Sequence, residues 1–253
     1  MDSGGVLPLS LRLIKDLHAI LMDGVRGSNQ TPGEFRITQN QIGRPARFVP
    51  PPPAQMTEAL YALEKYFYAD EDFNPLVRAF LAHYQFETIH PFGDGNGRVG
   101  RLLLSLTIAE WCKLSGQWLY MSAYFERNKD DYMDLMKSVS THGNWERWIE
   151  FCLQGVIEQA NDAQKRCDKL LNLHKDFHGR LKKGTLRIAK ILEGLFESPV
   201  VSVLHIKNKF GVSHATARAD LKRLEGMGIV DELTKMPNIT YYSPEIYRVT
   251  YED

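Results

Sequence analysis

Apolar side chains recur at spacings of three and four along most of this chain, which predicts a mainly α fold. Residues 8–23, with Leu11, Ile14, Leu17, Ile20 and Leu21, read as an amphipathic helix ended by Gly24 and Gly27. Between Thr31 and Gly43 the text changes, and two short β-permissive stretches between glycines predict a small hairpin over 33–43. Pro50–Pro53 predicts a stiff, extended connector, because successive prolines cannot enter a helix. Met56, Leu60, Leu63 and Phe67 mark the next helix. Asn74 as N-cap and Pro75 at the first helical position open another, running to about Ile89. Leu103, Leu106, Ala109 and Trp111 give Arg98–Leu114 a core face, and Gly116 stops it. Residues 129–141 and 145–182 continue the helical pattern. The second is long and mostly polar, with Trp148, Phe151, Cys152, Val156 and Leu170 as its apolar stripe, and Gly179 and Gly184 flank its end.

The last stretch has a different rhythm. Leu186–Phe196 and Val203–Phe210 read as helices, and Gly211 turns the chain into a third that Ser213 caps. Ala217, Leu221 and Leu224 form its inner face, and Gly226 and Gly228 close it. Ile229–Leu233 and Ile239–Tyr242 then predict two strands joined by a turn at Pro237-Asn238. Helix, helix-turn-helix and hairpin in that order predict a winged helix. The expected organisation is therefore a helical domain over 1–183 and a winged helix over 184–253.

A length of 253 residues with 43% hydrophobic content is enough to bury a core, which excludes intrinsic disorder. The 31 basic and 31 acidic side chains cancel, which argues against a protein that coats nucleic acid or an anionic membrane. No apolar run approaches the roughly 18 residues of a spanning helix, and Met1–Gly5 lacks a secretory pattern. Cys112, Cys152 and Cys167 are odd in number, lie in helical patterns and form no Cys-x-x-Cys. They are expected to be small apolar residues in a reducing compartment, with the cytoplasm as default.

One segment carries chemistry: His90-Pro91-Phe92-Gly93-Asp94-Gly95-Asn96-Gly97-Arg98-Val99-Gly100-Arg101. It is a loop leading into a helix N-terminus. Gly95 and Gly97 let the backbone approach a ligand, and the first helical turn adds its positive dipole end, so together they form an anion cradle. Arg98 and Arg101, three apart, supply donors suited to phosphate oxygens. Asp94 offers a hard oxygen ligand for Mg²⁺. His90 has a pKa suited to accepting a hydroxyl proton. Such a set describes phosphoryl or nucleotidyl transfer. It is not a P-loop, and no His-Glu-x-x-His suggests zinc.

The segment resembles the signature of the Fic family, His-x-Phe-x-(Asp/Glu)-Gly-Asn-Gly-Arg-x-x-Arg. The resemblance extends to Leu7-Pro8-Leu9-Ser10, Arg26-Gly27, Pro32–Arg36, Pro50–Pro53, Gln85–Ile89 and Gly143-Asn144-Trp145, and is closest to the subgroup with a C-terminal winged helix. It implies an α-helical core with a small β-hairpin flap. It also implies a protein adenylyltransferase that moves AMP from ATP to a Tyr, Ser or Thr hydroxyl and releases pyrophosphate. By that resemblance His90 deprotonates the hydroxyl, and Asp94 holds Mg²⁺ between the α- and β-phosphates. Asn96, with the amides of Gly95 and Gly97, positions the α-phosphate. Arg98 and Arg101 bind the β- and γ-phosphates, and Val99 and Gly100 complete the nucleotide-binding segment. Phe92 packs inward. Glu34, Phe35, Arg36, Ile37 and Thr38 belong to the flap that pairs with an extended target segment. Tyr124 and Tyr132 are read as neighbours of the adenine or its ribose.

Relatives in the family carry an inhibitory Ser/Thr-x-x-x-Glu-Gly/Asn helix whose glutamate pairs with the last arginine of the signature. Here Glu193-Gly194 follows Ala189 and Glu225-Gly226 follows Leu221, so neither fits. In the winged-helix subgroup that helix lies ahead of Leu7, so an upstream segment or another source of regulation is expected. Rival readings are transfer of another phosphate-containing group, which the intact Gly95-Asn96-Gly97 disfavours, and an ATP-sensing DNA-binding regulator. For the latter, Arg218, Lys222 and Arg223 are the residues that could face phosphates. Residues 184–253 nevertheless hold nine basic and nine acidic side chains, a difference of zero. The winged helix thus reads at least equally as a protein-docking or dimerisation module.

Overall fold

The computed structural model describes residues 8–23, 31–43, 46–69, 73–116, 119–181, 185–234 and 238–251. Met1–Gly5, Leu7, Gly24, Arg26, Gly27, Gly184 and Pro237, named above, lie outside the described residues. The chain divides into two compact units, 1–161 and 162–253.

The first unit holds α1 (Leu11–Met22), α2 (Pro53–Tyr68), α3 (Pro75–Ile89), α4 (Asn96–Trp111), α5 (Met121–Arg127) and α6 (Lys129–His142). The long helix α7 (Trp145–Arg180) begins in it and continues past residue 161. Capping follows the sequence. Ser10 Oγ accepts from Leu13 N at 3.2 Å and Asn74 Oδ1 from Leu76 N at 3.0 Å, satisfying donors that a helix start leaves orphaned. Glu64 Oε1 accepts from Leu11 N at 2.8 Å, which ties the start of α1 to α2.

Helices α3 and α4 are the centre of this unit. Ala82, Phe86 and Ile89 of α3 join Val99 and Leu103 of α4 in a core with Ile14, Met56, Leu60, Leu63 and Phe67. Ala79, Phe80 and Tyr84 instead join Leu104, Ile108, Phe125, Trp148 and Cys152 in a second core. Apolar residues on two faces of each helix place the loop between them under constraint from both sides.

Three local features depart from expectation. The segment expected as a hairpin over 33–43 carries one isolated bridge, Ile42 to Phe48, and no strand ladder among the described residues. Its backbone does not pair with itself because Arg36, Gln39 and Asn40 turn their side chains onto carbonyls elsewhere in the chain. Helix α4 starts at Asn96, two residues before the expected Arg98, because Gly95 takes a left-handed φ of 79° and serves as N-cap. Helix α5 was not legible: it is seven residues long, and Tyr120 offers no side-chain cap.

The second unit contains the remainder of α7, then α8 (Leu186–Glu197), β1 (Val200–Ser202), α9 (Val203–Phe210), α10 (His214–Gly226), β2 (Asp231–Leu233), β3 (Thr240–Tyr242) and α11 (Pro244–Tyr251). The sheet order is β1-β3-β2, antiparallel throughout, with Tyr241 opposite both Val201 and Glu232. Ile188, Leu192, Leu195, Leu221, Leu224 and Tyr241 form its core, joined by Leu170 and Phe177 of α7 and by Leu181 just past its end. The three-residue β1 and the eight-residue α11 were too short to carry a periodic signal.

Trp148 is fully buried, and its indole N–H has no hydrogen-bond partner among the described residues. Trp148→Ala should cost about 3–5 kcal/mol in urea denaturation by opening a cavity. Trp148→Phe, which keeps most of the packing and removes the orphaned donor, should cost less than about 1.5 kcal/mol.

Candidate functional site

The loop joining α3 to α4 is built from the residues singled out above. His90 caps α3 in the left-handed region, at φ 50° and ψ 61°, a conformation uncommon outside glycine. Its Nδ1 lies 3.2 Å from the Glu87 carbonyl, so Nδ1–H donates there and the Nε2 lone pair is left for another proton. Burial pulls the imidazole below its ordinary pKa, with the Glu87 carbonyl opposing and Arg36 adding to the fall. The ring is therefore neutral near pH 7 and able to accept a proton.

Arg36 holds this arrangement. It is buried, and its guanidinium donates to the carbonyls of His90 (2.9 Å), Thr38 (3.0 Å), Pro51 (2.6 Å) and Ile89 (3.4 Å). Its backbone N–H donates to Pro91 O at 2.9 Å. Arg36 was expected to face a target protein. It instead points inward, because a cation with five donors finds its partners in these carbonyls.

Asn96 is corrected in the same way. Its Oδ1 accepts from Phe92 N at 2.8 Å and its Nδ2 donates to Phe92 O at 2.7 Å, so the amide closes the loop instead of facing a phosphate. Phe92 packs inward as expected and stacks on His18 with centroids 3.8 Å apart. Asn40 adds a donation to Phe92 O at 3.1 Å.

His18 was not foreseen. Gly33 N donates to its Nδ1 at 2.8 Å, so Nε2 carries the proton and donates to Asp94 O at 3.1 Å. Burial lowers its pKa, which fits a neutral strut between α1, residue 33 and the loop. Its place in the stripe Ile14, His18, Met22 was the available signal: a polar residue on a buried helical face.

The groups expected to face an anion are gathered at the start of α4. The first intrahelical bond runs from Val99 N to Gly95 O at 3.1 Å, so the amides of Asn96, Gly97 and Arg98 precede it. Gly95 N donates to Asp94 Oδ1 at 2.6 Å, and the Asp94 carboxylate is exposed. Arg98 lies 3.9 Å from Asp94 Oδ2 and donates to Leu21 O and Met22 Sδ. Arg101 folds back over Gly97, where a Cβ would lie 3.1 Å from its Nη1. Val99 and Gly100 are buried, so their side positions face the core and not a ligand.

Behind the loop lies a buried polar group. Glu87 has an Oε1 with no hydrogen-bond partner among the described residues, and burial raises its carboxyl to about 7 against the pull of Arg101. A Cβ at position 100 would fall on that oxygen, which explains the glycine there. His83 Nδ1–H donates to Gly100 O at 3.2 Å and Nε2 accepts from Tyr132 hydroxyl at 3.1 Å. Burial lowers His83 to about 4, so it stays neutral.

A cavity of about 300 Å³ opens beside His90, lined by Ile42, Phe48, Glu87, Tyr132, Met133 and Met136 among others. Tyr132 is thus at the site. Tyr124 is not: it packs on Phe151 with centroids 4.9 Å apart and lines a different opening, with Asp131 and Arg147. Phe35 packs against Phe92 at 5.3 Å, Glu34 pairs with Lys15 at 3.1 Å, and Ile37 and Thr38 are exposed.

The first unit is thus a helical scaffold with a histidine on the loop that leads into the N-terminus of α4, followed by a helix-turn-helix unit. Residues 8–108 match the Fic/DOC family model and residues 187–233 match the DeoR-like helix-turn-helix domain. Residues 8–108 are thus similar to the Fic/DOC family and residues 187–233 to DeoR-like helix-turn-helix domains. It is 27% identical over 188 residues to a probable protein adenylyltransferase of Aquifex aeolicus, covering 63% of this chain and 58% of that one. It is 40% identical over 75 residues to protein adenylyltransferase Fic of Culex quinquefasciatus, covering 29% of this chain and 14% of that one. The chain therefore spans less than two thirds of the length of either relative. Among solved structures, a Fic family protein from Desulfovibrio desulfuricans G20 superposes with a TM-score of 0.55 at 22% identity. The match covers 92% of this chain and 68% of that one and shares its fold.

Two outcomes follow from the loop's supports. Arg36→Ala should cost about 2–3 kcal/mol, by leaving buried carbonyls unpaired, and should speed amide exchange at His90 and Phe92. Arg36→Lys should not restore either, because one ammonium cannot serve four carbonyls. Glu87 is raised in the folded state, so its favourable share of stability is complete below about pH 4.5 and is lost as pH rises through about 7. Glu87→Gln should therefore gain stability relative to the parent as pH rises from 5 to 8, read as the difference between their urea midpoints.

Proposed function

We propose that this chain is a protein adenylyltransferase that moves AMP from ATP to a Tyr, Ser or Thr hydroxyl of a target protein. The observation that carries the reading is His90: its Nδ1–H is committed to the Glu87 carbonyl, which leaves Nε2 for another proton, and the residue lines a cavity of about 300 Å³. In this reading Nε2 takes the proton of the target hydroxyl as its oxygen bonds to the α-phosphorus. The bond from that phosphorus to the bridging oxygen of the β-phosphate breaks, and pyrophosphate leaves. Charge growing on the α-phosphate is met by the amides of Gly97 and Arg98 at the positive end of α4. Arg98 and Arg101 serve the β- and γ-phosphates as charge-assisted donors. The base rests among Ile42, Phe48, Tyr132, Met133 and Met136, which suit a flat apolar ring.

Asp94 fits Mg²⁺: Gly95 N occupies its Oδ1, while the exposed Oδ2 lies 3.9 Å from Arg98. When bound, the ion neutralises phosphate charge. Ile37 and Thr38, exposed beside the buried Arg36, are the flap positions left to align an extended target segment. The helix-turn-helix unit is read as a module for docking a protein or a second copy. Lys222, a candidate phosphate contact, is engaged by Glu225 at 2.8 Å and Glu232 at 3.3 Å, which weakens the DNA reading. The described residues include no helix long and apolar enough to cross a membrane, and a cytoplasmic location accords with the three free cysteines.

Intact-mass spectrometry after incubation with Mg-ATP should find AMP adducts on the chain itself. His90→Ala should slow their appearance about 10²–10⁴-fold while ATP binding by calorimetry stays within a few fold, because the imidazole acts on the hydroxyl. Adducts formed at the parent rate by that variant would remove His90 from the mechanism.

A further inference from the structure

The second unit holds a side-chain cluster that the transfer chemistry does not use. His174 and His178 stand four residues apart on α7, so their imidazoles project from one face of that helix. Glu193 reaches them from α8. Its Oε1 lies 3.0 Å from His174 Nε2 and 2.6 Å from His178 Nε2, and its Oε2 lies 3.1 Å from His174 Nε2. One ligand atom from each of the three residues falls within 4.8 Å of the others.

Two imidazoles whose same ring nitrogen converges on one carboxylate oxygen are an unusual use of exposed side chains. An exposed ion pair contributes about 0–1 kcal/mol, little reason to gather three rotamer-rich groups from two helices. A metal ion is a better reason. Bonds of about 2.0–2.1 Å from a tetrahedral ion to imidazole nitrogen and carboxylate oxygen set ligand atoms about 3.3 Å apart. The two His174 separations, 3.0 and 3.1 Å, are close to that edge, and the 2.6 Å to His178 is shorter. The edge of Phe196 rests on the His174 ring at 5.1 Å, and the His178 ring sits 4.4 Å from His174, which limits how either imidazole can turn. All three groups reach solvent, so an ion has a path in.

We propose that His174, His178 and Glu193 form a binding site for a divalent transition-metal ion, Zn²⁺ by ligand type, with water in the fourth position. Imidazole and carboxylate donors suit Zn²⁺ and its first-row neighbours better than Mg²⁺, which favours all-oxygen octahedral sets. The site is separate from Asp94, which lies in the other unit and offers a single carboxylate. Its effect is mechanical: the ion pins α8, the first helix of the helix-turn-helix unit, to α7. The sequence hid the pair because His-x-x-x-His here lacks the intervening Glu of a metalloprotease helix, and its third ligand comes fifteen residues later than His178.

The test uses the whole chain freed of metal by chelation and dialysed. Calorimetric titration with Zn²⁺ should find one equivalent that the triple variant H174A/H178A/E193Q binds at least 100-fold more weakly. A saturating excess of Zn²⁺ should raise the melting midpoint of the parent by at least about 5 °C and leave the variant unmoved. Circular dichroism checks that the variant folds. The parent offers an independent reading that needs no variant: Zn²⁺ should shift the imidazole proton signals of two histidines, assigned to 174 and 178. The same Zn²⁺ affinity and stoichiometry in parent and variant would overturn the proposal, as would no binding at about 100 μM Zn²⁺ or shifts confined to other histidines.

Discussion

The reactive geometry of this protein depends on the Arg36 guanidinium. It draws the carbonyls of Thr38, Pro51, Ile89 and His90 around one buried cation, joining the segment after Gly33, the proline connector and the end of α3. His90 can then hold φ 50°, which a non-glycine residue keeps only when its surroundings over-determine it. From the other side, Asn96 closes on Phe92 and His18 braces Asp94. The loop is therefore fixed by neutral side chains and one cation bonded to backbone, an arrangement that leaves the amides at the start of α4 and the Nε2 of His90 available. That freedom is what the proposed transfer requires.

A fixed loop also explains the small residues around it. Gly95 supplies the left-handed turn into α4 and lies against Met22 of α1. Gly100 makes room for Glu87, whose carboxyl burial raises to about 7 against the pull of Arg101. Rigidity here is purchased by close approach of backbone to backbone, and the two apolar cores on either face of α3 and α4 keep it.

Much of this was legible in the sequence. Asn74 and Pro75 announced α3, Ser213 announced α10, and the stripe from Met56 to Phe67 announced α2, because caps and apolar periodicity are local signals. The signature from His90 to Arg101 identified the loop and the helix it starts. What local reading could not supply was direction. Arg36 and Asn96 both looked like ligand contacts, yet each found backbone partners that lie far along the chain or across the turn. Tyr124 and Tyr132 are eight residues apart and indistinguishable by type, but only Tyr132 borders the cavity at His90. His18 and Glu87 were silent because a buried polar residue shows itself only once its neighbours are known. In the second unit the apolar pattern gave the helices, and Phe177 and Leu181 join its core from the chain ahead of α8.

The central claim is that the loop delivers the α-phosphorus of ATP, and not the γ-phosphorus, to a protein hydroxyl. It is tested most directly by incubating the chain and Mg²⁺ with ATP labelled at the α-phosphate or, separately, at the γ-phosphate, and then resolving the protein under denaturing conditions. Label should remain on protein from the α position alone. Retained label from the γ position, or none from either, would contradict it.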